Sequence, residues 1–213
     1  MLEKIRVLDK FRKGITKYEK ERRKDILIWG GYTDKNSVIL DMGSKGNNEW
    51  EDTLDKFLKS NMIGNVIGVD AVKGNGVDMI LNLNEFPYSV DENSVDLIIA
   101  GEVIEHLSEP YKFLLECHRI LKPGKRMIIT TPNMTSITYI LGILHNAKDG
   151  SYGHCHAWNI ELFDTLLSRT KFKVLYKKLT NGLASWDVPI ELFTNVFPVF
   201  KTGMFYVLEK VKE

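Results

Sequence analysis

The stretch that most constrains this chain runs from Val95 to Leu107 and reads V-D-L-I-I-A-G-E-V-I-E-H-L. Its first half, Val95 to Ala100, is apolar with no helical stripe, which suits a strand buried on both faces of a parallel sheet. Gly101 breaks the run, and Glu102, Glu105 and His106 follow at once. Ligands of open α/β sheets bind in the crevice beyond the carboxyl ends of the strands. Titratable residues directly after a buried strand therefore stand where chemistry is done.

The flanking sequence supplies the rest of such a sheet. Residues 1 to 29 read as helical, with Ile5, Leu8 and Phe11 at three-residue spacing. Within them Lys20, Arg22, Arg23 and Lys24 interleave with Glu19, Glu21 and Asp25, which predicts a solvated helix face. A helix in this position, ahead of the first strand, is also placed to cover a site. Ser37 to Leu40 begins the first strand, Asp41 ends it, and a loop M-G-S-K-G-N-N follows. Trp50 to Leu58 reads as an amphipathic helix, and Asn65 to Val69 as a second strand closed by Asp70. The 28 residues between the two acids suffice for one βαβ unit. A glycine-bearing loop brings backbone close to a nucleotide-like ligand, and a carboxylate closing the next strand can accept hydrogen bonds from both ribose hydroxyls.

Val77 to Leu81 predicts a short third strand, and Asn82 to Tyr88 a loop. Ser108 is placed to cap a helix that opens at Pro110, runs to about Leu121 and stops at Lys122-Pro123-Gly124. Arg126 to Thr130 follows as a fifth strand. This alternation over residues 37 to 131 predicts a doubly wound parallel sheet with helices on both faces. Beyond it, Ile137 to His145 reads as a short helix and Lys148 to Gly153 as a polar loop. Asn159 to Ser168 reads as a helix with Leu162, Phe163, Leu166 and Leu167 on one face. Phe172 to Leu179 and Met204 to Leu208 bring the strands to seven. Trp186, Phe193, Phe197 and Phe200 are expected to pack in the core or at the sheet edge.

Composition narrows the function classes. At 213 residues one domain is expected over the whole chain. A net charge of +1 gives no support to a nucleic-acid partner. Two cysteines, Cys117 and Cys155, exclude a disulfide framework and fit a reducing cytoplasm. No apolar run reaches signal-peptide or transmembrane length. The oligomeric state is left open.

Taken in order and spacing, V-I-L-D-M-G, V-I-G-V-D, F-P-Y, V-D-L-I-I-A-G-E-V-I-E-H-L-S-E-P and H-R-I-L-K-P-G resemble the class I S-adenosylmethionine-dependent methyltransferases of the small-molecule type. The resemblance covers residues 37 to 131 and continues from Gly153 to Phe172. It implies a Rossmann-like, mostly parallel seven-stranded sheet and S-adenosyl-L-methionine as cofactor. On that basis residues 1–29 are an N-terminal helical extension, 37–131 the cofactor-binding core, and 132–213 a substrate-side elaboration with the terminal strands. Asp41 and Gly43 match the family's first motif, with Ser44, Lys45 and Gly46 in the loop around the cofactor's methionine part. Asp70 matches the acid that holds the ribose. Ala71 and Val72 would line the adenine, Asn82 matches the polar position near its amine, and Leu83 is its neighbour. Ala100 and Gly101 match the residues ending strand four beside the cofactor. The loop departs from the family at Lys45 and Asn47, which stand where glycine is frequent; Asn tolerates positive φ, whereas Lys45 either projects into solvent or leans toward the cofactor carboxylate.

Methyl transfer asks the protein to align acceptor, methyl and sulfur and to take a proton from the acceptor. The catalytic candidates are His106, Glu102, Glu105 and His154, with His106 suited to a general base. The expected partner is a small-molecule methyl acceptor at an O, N or C atom, with no metal assigned. Two alternatives stand beside this reading. If the turn after Gly101 is helical, Glu102, Glu105 and His106 share one face and, with His154 or His156, form a divalent-metal set. That pattern resembles the small-RNA 3′-terminal 2′-O-methyltransferases. The other alternative is a methyltransferase fold kept for binding, supported by the altered glycine loop.

Overall fold

A computed structural model describes residues 17–45, 53–137, 139–140, 153–181 and 193–212. In chain order its main elements are α1 (Lys17–Gly30), β1 (Val38–Met42), α2 (Leu54–Asn61), β2 (Asn65–Asp70), β3 (Met79–Ile80), β4 (Val95–Gly101), a 3-10 turn (Ile104–His106), α3 (Pro110–Ile120), β5 (Leu121–Pro132), α4 (Ile160–Ser168), β6 (Phe172–Thr180) and β7 (Gly203–Lys210). The seven strands form one sheet in the order β3-β2-β1-β4-β5-β7-β6. All neighbours pair parallel except β7, which runs antiparallel to both β5 and β6. The sheet is thus mostly parallel, with one antiparallel hairpin at its end.

Alternate residues of the central strands face opposite layers, as a strand without a helical stripe requires. Ile98 and Ala100 of β4 pack with α3 and α4 through Phe113, Leu114, Cys117, Ile120, Phe163 and Leu167. Leu97 and Ile99 pack the other way, with Ile26 of α1 and Leu58 of α2. Burying one such aliphatic side chain is worth about 1.5–3 kcal/mol. Helix starts follow local chemistry: Thr53 accepts from the Lys56 amide at the head of α2, and Asn159 from the Leu162 amide at the head of α4.

The expected strands are present, with adjusted bounds. β1 runs through Asp41 to Met42, and β3 shrinks to two residues at the sheet edge. β5 opens at Leu121, directly after α3, because residues 122–125 form a bulge between the pairs Val95↔Leu121 and Leu97↔Arg126. Three local expectations fail. Ser108 does not cap α3; its amide and hydroxyl both donate to Asn84 Oδ1 instead. Leu162 stands outside the buried face of α4, half exposed, while Phe163 and Leu167 carry it. Arg22 and Arg23 are buried and ion-paired to Glu19 rather than solvated, because α1 lies on the sheet and turns that side inward. Phe193, Phe197 and Phe200 pack on one another near the surface. Trp186, the start of the expected helix at 50–52 and most of 137–145 lie outside the described residues. Among the described residues no helix is long and apolar enough to cross a membrane.

Candidate functional site

β1 and β4 are neighbours whose chains leave for opposite faces, β1 toward α2 and β4 toward α3. This is a topological switch point, and a crevice opens beyond the carboxyl ends of these strands. The cavity there has a volume of about 320 Å³ and is lined by Gly43, Asp70, Ala71, Asn82, Leu83, Asn84, Glu102, Val103, His106 and Leu107. Seven of the residues singled out in the sequence therefore share one wall-to-wall cleft. Gly43 has φ of 78° and packs against Val103. Its amide and that of Ser44 both donate to the Val69 carbonyl, tying the loop to the end of β2. Asp70 accepts from the Lys45 amide on one oxygen (3.3 Å) and from the Val72 amide on the other (3.0 Å), which aims its carboxylate along the rim.

The other singled-out residues stand around this cleft. Asp41 is buried beneath it; desolvation, then the charge of Asp55, pushes its carboxyl up to about 8. Ser44 is buried, and Ala100 is sealed inside β4. Lys45 lays its side chain along Gly74. Val72 is 54% exposed and contributes its backbone. Gly101 lies under Arg22, where a Cβ would come within 2.9 Å of Nη1. Gly46 lies outside the described residues.

A second cavity, of about 160 Å³, lies against the first through the Glu105–His106 turn. It is lined by Glu105, Pro132, Met134, Tyr139, His154, Cys155, His156, Ala157 and Trp158. His156 stacks on Trp158, with ring centroids 5.4 Å apart. Glu105 is buried, and its Oε2 accepts from the Thr131 hydroxyl at 3.0 Å. Its backbone carbonyl accepts from the amides of Cys155 and His156, which draws the 153–158 segment onto the turn. Burial foremost, with the Glu102 charge second, pushes the Glu105 carboxyl up to about 8. Glu105 Oε1 and Trp158 Nε1 are buried without a hydrogen-bond partner among the described residues. Both belong to side chains lining this cavity, so a polar ligand there meets one carboxyl and one indole N–H.

His106 lines the first cavity, and Glu105, its neighbour in the turn, lines the second. The His106 Nδ1 lies 3.1 Å from the Gly153 carbonyl, which can only accept, so Nδ1 carries the proton and Nε2 of the neutral ring is a free base. Nε2 lies 3.9 Å from Glu105 Oε1, and the ring meets His154 edge to face. Ligand atoms of Glu105, His106 and His154 all lie within 4.8 Å of one another. Glu102 does not join this group. The segment after Gly101 is not a continuous helix: Glu102 takes φ of 59°, and the 3-10 turn starts only at Ile104. Its side chain turns toward Arg22 at 3.8 Å.

Arg22, Asn84, Thr131 and the Gly153 carbonyl take part in this geometry without having been singled out from sequence. Arg22 was hidden in a mixed-charge helix, and Thr131 and Asn84 are ordinary loop or strand residues until the chain brings them to the site.

Comparison with known proteins agrees with this arrangement. Residues 55–129 match the profile of a family described as a methyltransferase domain. The ubiquinone biosynthesis O-methyltransferase of Mus musculus is 43% identical over 58 residues, 26% of this chain and 16% of that protein. The enzyme of that name from Maricaulis maris is 43% identical over 54 residues, 25% of this chain and 21% of that one. Over residues 55–129 this chain carries a methyltransferase domain, similar to that of the class I S-adenosylmethionine-dependent methyltransferases. Solved structures carry the same fold. A SAM-dependent methyltransferase from Archaeoglobus fulgidus superposes with TM-score 0.66 at 14% identity, covering 95% of this chain and 97% of that one. Phosphoethanolamine N-methyltransferase 2 of Haemonchus contortus, in complex with S-adenosyl-L-methionine, superposes with TM-score 0.60 at 15% identity, covering 90% and 53%. The sequence matches span less than a quarter of the two curated relatives' lengths, so they establish kinship of the domain and leave the acceptor open.

Proposed function

We propose that this chain binds S-adenosyl-L-methionine in the cleft beyond β1 and β4 and methylates a small-molecule acceptor held in the second cavity. The observation that carries this reading is the junction of the two cavities at one turn, Glu105–His106. The cleft suits the cofactor chemically. Asp70 keeps lone pairs on both oxygens to accept from ribose hydroxyls, and Ala71 and Leu83 offer apolar walls beside the polar Asn82. The sulfonium of the bound cofactor supplies an electrophilic methyl group. The protein's part is to align the acceptor and take its proton. His106 serves as base through Nε2, with the Gly153 carbonyl fixing its tautomer. Glu105 and Trp158 orient the acceptor, and the stacked His156 and Trp158 rings give it a flat wall. The printed names of the matched relatives, O-methyltransferases of ubiquinone biosynthesis, make a hydroxyl-bearing acceptor the first to test.

Calorimetry with S-adenosylhomocysteine, followed by transfer of labelled methyl to a metabolite pool, tests the proposal. Micromolar binding and a labelled product are expected; folded protein that does not bind at millimolar ligand would refute it and leave the non-catalytic reading. The convergence of Glu105, His106 and His154 favours one second reading, a divalent cation on these three groups that polarises the acceptor. Glu102 is not part of that set. Activity abolished by a chelator and restored by added metal would establish it; activity undiminished after chelation would exclude it.

A further inference from the structure

Trp158 lines the second cavity from a fixed position. Its ring stacks on His156 and meets Phe163 edge to face at 5.6 Å, and Phe163 is fully buried in the core. Its carbonyl accepts from the Met134 amide at 2.8 Å, and the next residue, Asn159, caps α4. The indole plane is therefore set before any ligand arrives. Its Nε1 is buried and has no hydrogen-bond partner among the described residues. An indole N–H can only donate, so whatever satisfies it must bring a lone pair. The room beside it is limited. The cavity holds about 160 Å³, and a cavity of about 150 Å³ is enough for one benzene ring. Glu105 Oε1, 3.9 Å from His106 Nε2, marks the end of that space nearest the base.

We propose that Trp158 selects the acceptor: its indole N–H donates to an oxygen on a single planar ring that lies against the His156–Trp158 wall and carries the reacting hydroxyl elsewhere on the ring. This rests on the function proposed above and adds to it the class of acceptor, an aromatic ring with a second oxygen that offers a lone pair. A flat ring suits a cavity of one ring's volume with a wall of stacked rings. A ring of the same shape without the second oxygen leaves the indole N–H buried and unpaired. A site built around such a buried donor rejects the analogue that cannot pair with it. Trp158 touches the acceptor and not the methyl group in transit, so it acts on KM more than on kcat.

Probes of equal shape isolate the N–H. Each hydroxyacetophenone (ortho, meta and para) carries a carbonyl oxygen that the matching ethylphenol replaces with hydrogens. With S-adenosylhomocysteine bound, ligand-observed NMR titration of the wild-type protein should show a hydroxyacetophenone binding on the order of tenfold more tightly than its ethylphenol. Trp158→Phe keeps an aromatic wall and removes the donor, and should bring that ratio to within about twofold. With labelled S-adenosylmethionine the same pair should separate in KM by a similar factor, while kcat differs by less than about twofold. Where the variant fails to fold, the wild-type ratio decides, together with downfield movement of one indole N–H signal on adding the hydroxyacetophenone and not the ethylphenol. No hydroxyacetophenone preferred by the wild type, or a preference that survives in Trp158→Phe, overturns the inference while leaving the cofactor reading intact. Wild-type protein that does not bind S-adenosylhomocysteine at millimolar ligand overturns both.

Discussion

Gly43→Ala carries two separable costs that can be worked from the geometry. Gly43 has φ of 78°, and a Cβ added there would lie 2.4 Å from Val103 Cγ2, a full ångström inside ordinary contact. Holding an L-residue in the left-handed region costs about 1–2 kcal/mol. Forcing a methyl into a packed contact adds about 1–3 kcal/mol, because Val103 is buried and must shift. The expected loss is about 2–5 kcal/mol, a large part of a typical domain stability of about 5–15 kcal/mol. Urea unfolding followed by circular dichroism measures it. Val103 also lines the cleft proposed to hold the cofactor, so its displacement should weaken S-adenosylhomocysteine binding in the same variant. Val103→Ala alone removes two methyl carbons and should cost about 1–2 kcal/mol. In the double variant the new methyl has room, so the pair should be less destabilised than the sum of the singles by about 1–3 kcal/mol. The backbone cost should persist. Strict additivity would refute the steric argument, and a single-variant loss below about 1 kcal/mol would refute both parts.

The buried acids predict a pH dependence. Asp41 and Glu105 are held protonated up to about 8, well above the ordinary carboxylate range. The unfolded chain therefore binds fewer protons between about pH 4 and 8, and the stability these groups contribute, full below pH 4, is lost as pH rises through 8. Asp41→Asn should flatten that decline in denaturation midpoints measured across the range; an unchanged slope would contradict it. Thr131→Val removes the hydroxyl that Glu105 Oε2 accepts from and should cost about 1–2 kcal/mol while pushing the Glu105 carboxyl further up, which the pH profile of methyl transfer reads. Asn159→Ala, remote from the cleft, should lower stability by about 1 kcal/mol through loss of the α4 cap, with S-adenosylhomocysteine affinity unchanged.

Much of the fold is legible in the sequence because its signals are local. Val95 to Ala100 reads as a doubly buried strand and is one, and Asn159 caps its helix as its side chain allows. Pro123 and Gly124 stop a helix wherever they occur, although here the chain enters β5 at once and bulges around them. The misreadings are equally physical. Ser108 is a sound cap by type, but Asn84, 24 residues away, takes both its donors. The arginines of α1 look like solvent-facing charge because sequence gives a helix a polar side and no information on what that side meets.

The sequence alone determined the order of strands and helices, and the acids and glycine at the strand ends that the cleft brings together. Only the tertiary structure decided how the motif after Gly101 divides. Residues three and four apart share a face only if the chain between them is helical, and the left-handed backbone at Glu102 breaks that condition. Glu102 consequently turns to Arg22 at the wall of the first cleft, while Glu105 and His106 meet His154, with Glu105 lining the second cavity. Spacing along a chain fixes which side chains can meet; backbone dihedrals and partners distant in sequence fix which ones do.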